Sequence, residues 1–136
     1  MEQFIWDNKL SVGVEEIDNQ HKKLIELINQ LIIKKEENKT DQEYLHSLLS
    51  ELFNYTIYHF FTEEQIMENI SYPDYGKHKA EHVNISSKVI EYFERFNNGE
   101  DSLYIEIFEF LKVWLYNHIM NTDNALGKYI QEWMND

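Results

Sequence analysis

Residues 45–66 read LHSLLSELFNYTIYHFFTEEQI, and the phasing of this stretch decides the fold. Leu45, Leu48, Leu52, Thr56, His59, Glu63 and Ile66 recur at three- and four-residue steps, the period of one face of an α-helix. The face that carries leucines toward a core therefore also carries an imidazole and a carboxylate, His59 and Glu63, stacked one turn apart. Ionisable groups on an apolar stripe are costly unless something inside the core compensates them.

The segments on either side repeat the pattern. Upstream, His21, Leu24, Ile28 and Leu31 share one face of a first helix, with Asp18 as its expected N-cap and the polar run Lys34 to Thr40 as its end. The second helix is expected to begin near Asp41. Downstream, Ser71-Tyr72-Pro73 is a break, because proline ends one helix and can open the next. A third helix aligns Tyr75, His78, His82, Ile85, Val89, Tyr92 and Phe96, and Asn97-Asn98-Gly99 closes it. A fourth aligns Leu103, Ile107, Leu111, Trp114 and His118, and a last amphipathic stretch holds Leu126, Tyr129, Ile130 and Trp133. Residues 1–17 read as an irregular arm anchored by Phe4, Ile5, Trp6, Val12, Val14 and Ile17.

The expected fold is all-α, an antiparallel up-down-up-down four-helix bundle with an N-terminal irregular arm and a short C-terminal helix. One domain accounts for the chain: arm 1–17, bundle 18–120, C-terminal segment 121–136. With 136 residues, 43% of them hydrophobic, there is enough apolar side chain for one real core. One proline and four glycines leave long stretches unbroken.

Loop positions test the bundle. The midpoint between His21 and the centre of the His59/Glu63 pair is residue 41; between that pair and the His78/His82 pair it falls at 70–71; between His78/His82 and His118 it is 99. All three midpoints lie in expected turns. Positions equidistant from the turn of an antiparallel hairpin lie at equal height, so every helix delivers its ionisable groups to one level. With about 1.5 Å of rise per residue, that level lies roughly 14 Å from the second turn and about 27 Å from the opposite end.

Composition narrows the function. The absence of cysteine excludes disulfides, thiolate ligands and iron–sulfur clusters. A formal charge of −13 without a basic patch argues against nucleic acid and anionic membrane as partners. No stretch has the length and apolarity of a membrane span, and the N-terminus lacks the features of a signal peptide, so the cytoplasm is the expected compartment. Five of the six histidines and two carboxylates form one set, His21, His59, Glu63, His78, His82, His118 and Asp123, in phase with the apolar stripes. His46 lies outside it, with an exposed position expected and no role. Asp123 stands five residues after His118, about 140° round a regular helix at roughly 100° per residue, so it reaches the same centre only if the helix ends or loosens there.

A metal centre compensates such a set. Imidazole and carboxylate donors suit iron, zinc, copper or nickel, and five nitrogens are too many for one tetrahedral zinc. Two ions bridged by the carboxylates fit better. The ferritin-like di-iron pattern needs two Glu-x-x-His motifs, whereas this chain has one, Glu43 to His46, out of register with the rest.

The motif of one His, His-x3-Glu, His-x3-His and His-x4-Asp resembles that of the bacterial single-domain hemerythrins. The likeness extends from Trp6-Asp7 through Val12-Gly13-Val14 and Ile17-Asp18-Asn19-Gln20-His21 to His118-Ile119-Met120-Asn121-Thr122-Asp123. It implies two iron ions with an oxo or hydroxo bridge: His78, His82 and His118 on one, His21 and His59 on the other, Glu63 and Asp123 bridging. These donors and the bridge would fill about eleven of the roughly twelve positions of two octahedral ions. The resemblance puts the open position, where dioxygen binds, on the iron held by His21 and His59, with Leu24, Trp114, Leu115 and Ile119 as the walls of an oxygen pocket. The implied function is reversible dioxygen binding for storage, delivery or scavenging, without catalysis. The alternatives are peroxide or nitric oxide reduction at the same centre, an oxygen or redox sensor, and zinc or mixed-metal occupancy. A monomer or weak homo-oligomer is expected, and no sequence feature specifies a redox partner.

Overall fold

A computed structural model describes residues 2–37, 42–99 and 103–135. Its long helices are α1 (Glu15–Glu36), α2 (Gln42–Asn69), α3 (Tyr75–Asn97) and α4 (Leu103–Asn117); a π-helical segment (His118–Asp123) then leads into α5 (Asn124–Asn135). No strand occurs among the described residues. α1 packs on α2 and α4, α2 on α3, and α3 on α4, which closes the ring of an up-down-up-down bundle. None of these helices is long and apolar enough to cross a membrane.

The stripe residues face inward. Leu45, Leu48 and Leu52 are buried on α2, Ile85, Val89, Tyr92 and Phe96 on α3, and Leu103, Ile107 and Leu111 on α4. His46 is exposed, with its ring 5.0 Å from that of Phe93. The second turn is a Schellman closure: the Tyr72 amide donates to the Met67 carbonyl at 2.9 Å, and Ser71, at φ 53°, takes the left-handed position more often given to glycine. Pro73 lies within that turn, and α3 starts two residues later, at Tyr75. At the other end of α3, Gly99, with φ 91°, supplies the left-handed exit expected of Asn97-Asn98-Gly99.

Three details differ from the sequence reading. α1 begins at Glu15, three residues before Asp18. Asp18 lies inside the first turn and reaches back along the arm, accepting from the Val12 amide at 2.9 Å and the Ser11 hydroxyl at 2.5 Å. It holds the arm against the helix instead of opening the helix. Within the arm, Phe4 and Val12 are buried as expected, Ile5 is 72% exposed, and Leu10 is the further anchor, on a short 3-10 turn at Asn8–Leu10. Asn29 fixes the arm by accepting from the Phe4 amide and donating to the Phe4 carbonyl, both at 2.8 Å. In α5, Leu126, Gly127 and Ile130 are buried while Trp133 is half exposed. The end of the Lys34–Thr40 run and the start of α2 at Asp41 lie outside the described residues.

Candidate metal centre

Each bundle helix, or its continuation, sends ionisable side chains to one place. His21 comes from the second turn of α1, His59 and Glu63 from successive turns of α2, and His78 and His82 from the first two turns of α3. His118 and Asp123 begin and end the π segment. There the backbone bonds from i to i+5, so residues five apart stack as residues four apart do in an α-helix. The helix loosens without ending, which brings the i+5 pair onto one face. All seven side chains are buried, none more than 3% exposed.

Their donor atoms fall into two overlapping groups, each within 4.8 Å: Glu63, His78, His82, His118 and Asp123 in one, His21, His59, Glu63 and Asp123 in the other. The two carboxylates are common to both. Asp123 lies 2.8 Å from His21 Nε2 and 3.1 Å from both His78 Nε2 and His118 Nε2; Glu63 lies 3.0 Å from His82 Nε2, 3.5 Å from His78 Nε2 and 3.6 Å from His59 Nε2. None of these contacts has hydrogen-bond geometry. All five Nε2 atoms and all four carboxylate oxygens are buried without a hydrogen-bond partner, an arrangement that protein groups alone would make very expensive.

The outer ring nitrogens explain how the imidazoles are aimed. His59 Nδ1 is 2.6 Å from Gln20 Oε1, His82 Nδ1 is 3.0 Å from Glu64 Oε2, and His118 Nδ1 is 3.1 Å from Glu81 Oε1. These oxygens only accept, so Nδ1 carries the hydrogen in each pair, and Nε2 of the neutral ring is left with a lone pair facing the centre. The Gln20 amide is oriented by donating to Thr62, and Glu81 is held by the Thr122 hydroxyl at 2.8 and 3.0 Å. Two rings are also clamped by stacking: Phe60 on His82 at 3.9 Å, Trp114 on His118 at 4.5 Å. Sequence reasoning missed Gln20, Glu64 and Glu81, although each directly adjoins a residue of the set, so that one helical step turns it toward a neighbouring helix.

Electrostatics agree with a site suited to cations. Burial, reinforced by neighbouring imidazoles, holds His59 well below the usual histidine range and His82 down at about 2. Burial, with Asp123 beside it, pushes Glu63 well above the carboxylate range. Burial also pushes Asp123 upward, but His118, His21 and His78 outweigh it and hold this carboxyl well down. Burial pulls His118 down, but Asp123 and Glu63 together outweigh it, and the ring is raised. The cluster is thus one in which a cation would compete with protons for the same donors, and its nitrogen and oxygen donors can bind metal.

A cavity of about 20 Å³ lies among Leu24, Ile28, Leu52, Thr56, Phe60, Ile85, Leu111, Trp114 and Leu115, room for about one water-sized molecule. Three of the four pocket residues expected from the sequence, Leu24, Trp114 and Leu115, line it. Ile119 is buried but does not belong to the lining.

Comparison with known proteins agrees with this geometry. Residues 12–130 match the family model described as the hemerythrin HHE cation binding domain. The chain is 37% identical over 136 residues to a bacteriohemerythrin of Pseudomonas aeruginosa, covering 100% of this chain and 87% of that one. It is 33% identical over 131 residues to a bacteriohemerythrin of Stenotrophomonas maltophilia, covering 96% and 84%. A crystal structure of wild-type hemerythrin superposes with a TM-score of 0.83 at 27% identity, covering 91% of this chain and 95% of the other. A point mutant of hemerythrin gives 0.85 at 26%, covering 94% and 97%.

Proposed function

Since the chain belongs to the hemerythrin family of HHE cation-binding domains, we propose that its buried cluster holds two iron ions and that the protein binds dioxygen reversibly without turning it over. His78, His82 and His118 would hold one ion, His21 and His59 the other, and Glu63 and Asp123 would be shared. The observation that carries the reading is the set of nine inward-facing donor atoms, five Nε2 and four carboxylate oxygens, buried without hydrogen-bond partners. When bound, the pair of irons supplies the electrons with which dioxygen is taken up and released.

This chain's residues do the rest. Gln20, Glu64 and Glu81 hold three imidazoles in the tautomer that presents Nε2 inward. The group around His21 and His59 has one donor fewer than its neighbour, which favours the open position there. Leu24 lies one turn from His21, and Leu115 and Trp114 lie one turn before His118. Leu24, Trp114 and Leu115 would form an apolar wall that limits water and restrains proton delivery to the centre. A dry wall favours release of the gas over onward reduction.

Anaerobically reduced protein of known iron content, titrated optically with dioxygen, tests the proposal. An absorption band that grows to an endpoint near one dioxygen per two irons and vanishes on degassing is expected. Prompt conversion to an oxidised spectrum that degassing does not reverse would overturn it.

A further inference from the structure

The two halves of the cluster are backed by different chemistry. On the three-histidine side, His82 and His118 each give their Nδ1 hydrogen to a carboxylate, Glu64 at 3.0 Å and Glu81 at 3.1 Å. On the two-histidine side, His59 gives its own to the neutral amide oxygen of Gln20 at 2.6 Å; His21 Nδ1 there and His78 Nδ1 on the three-histidine side both lack a hydrogen-bond partner, so the difference lies in the acceptors of the other three rings. The rings bonded to carboxylates are also the stacked ones, under Phe60 and Trp114. Glu81 is fixed by Thr122, which the π segment carries one residue before Asp123. Neither carboxylate is freely solvated: the Glu64 side chain is 20% exposed and the Glu81 side chain 37%.

A hydrogen bond from imidazole to a carboxylate increases the electron density at the opposite nitrogen more than one to a neutral amide. Nitrogen with greater donor power favours the more highly charged state of whatever cation it holds. Two negative charges behind one ion, that of Glu64 partly offset by Lys79 at 4.0 Å, act in the same direction. Both effects fall on the three-histidine side.

Resting on the di-iron reading above, we propose that Glu64 and Glu81 are positioning residues that make the three-histidine site the tighter of the two and the one that favours the ferric state. Gln20, neutral at the equivalent place, leaves the two-histidine site more easily held ferrous. The asymmetry belongs to the shell of acceptors as well as to the number of ligands.

Protein loaded with iron-57 tests this in four forms: wild type, Glu64→Gln, Glu81→Gln and Gln20→Glu. Potentiometric titration read by Mössbauer spectroscopy separates the two irons. Each Glu→Gln change is expected to reduce the ferric preference of one iron by about 10-fold or more, which at about 59 mV per tenfold raises that couple and leaves the other in place. Gln20→Glu is expected to lower the other couple and narrow the gap. Equal movement of both couples, or of neither, overturns the proposal. Gln20 is only 5% exposed, so the two glutamate variants carry the test if the added charge prevents folding. Should the wild type fail to hold a pair of irons, the di-iron reading falls, and the asymmetry is read with zinc by chelator competition. Glu64→Gln and Glu81→Gln are then expected to weaken the tighter zinc step by about 10–100-fold. An unchanged tighter step would overturn the proposal independently of iron.

Discussion

Glu63 shows how one residue serves two opposed demands. It belongs to both donor groups, so a cation on either side needs it. Without cations, it is a fully buried carboxylate with both oxygens unpartnered, and burial pushes its pKa well above 4.5. Glu63→Gln keeps the shape and removes the ionisable group. We expect paired metal binding to be lost and the metal-free protein to be stabilised at pH 7 by about 1–3 kcal/mol, the scale of an unsatisfied buried polar group. The sign follows from linkage. The unfolded carboxyl ionises near pH 4.5 while the folded one stays protonated, so wild-type stability falls as pH rises from 4.5 toward the raised folded value. The variant's advantage is therefore present at neutral pH and shrinks to nothing below about pH 4.5. Urea unfolding of chelator-treated protein at pH 7 and pH 4 measures it; an advantage that grows on acidification would refute the argument. His59, Glu63, His78 and His82 are legible in the sequence because each shares a helix phase with leucines or isoleucines. Gln20, Glu64 and Glu81 are not, since a polar residue beside a ligand looks like any solvated position until the facing helix is placed.

At the scale of elements, the π segment and α5 are a single device. A regular helix would turn Asp123 away from His118; the wider turn admits one more residue per revolution and presents both Thr122, to Glu81, and Asp123, to the centre. The i+5 spacing in the sequence announces the loosening without its form, because an ended helix and a widened one would present the same residues. The downstream helix also packs closely on the arm, where Gln131 donates to the Gly13 carbonyl at 3.1 Å. A Cβ at Gly127 would stand 2.1 Å from the Val12 carbonyl oxygen, which is backbone and cannot turn aside. Gly127→Ala should therefore push α5 off the arm, cost about 1–3 kcal/mol as overpacking does, and disturb Asp123 one turn away. Gly76, in the first turn of α3, is the control: a Cβ there would meet nothing within 4 Å, so alanine should be neutral or stabilising by up to about 1 kcal/mol. Denaturation midpoints and metal content of both variants decide the matter, and a Gly127→Ala protein with full metal content and wild-type stability would sink it.

For the whole molecule, the bundle is a cage whose centre, a cluster of buried ionisable groups without hydrogen-bond partners, is its weakest part. The midpoints at 41, 70–71 and 99 anticipate one level because antiparallel geometry converts sequence distance from a turn into height. The start of α1 is not legible in the same way, because the bonds that place Asp18 run to Ser11 and Val12 in the arm and leave no local signature. Beyond the level of the ligands, toward the other end of the bundle, the apolar layers from Leu45 to Leu52 and from Ile85 to Phe96 are buried, enough to expect the bundle to hold with or without metal. Metal binding should therefore raise the stability of an already folded protein instead of inducing the fold. Cation at about 100 times its dissociation constant adds about 2.7 kcal/mol per independent site, so loading metal-free protein with ferrous iron under anaerobic conditions should shift the melting temperature upward by several degrees. Glu63→Gln should begin higher and shift far less, so the two melting curves converge on loading or exchange order. Far-ultraviolet circular dichroism during chelation is the decisive readout: loss of helix at ambient temperature on metal removal would mean that the leucine layers cannot sustain the bundle alone, whereas retained helix with a lowered melting temperature is the result this architecture requires.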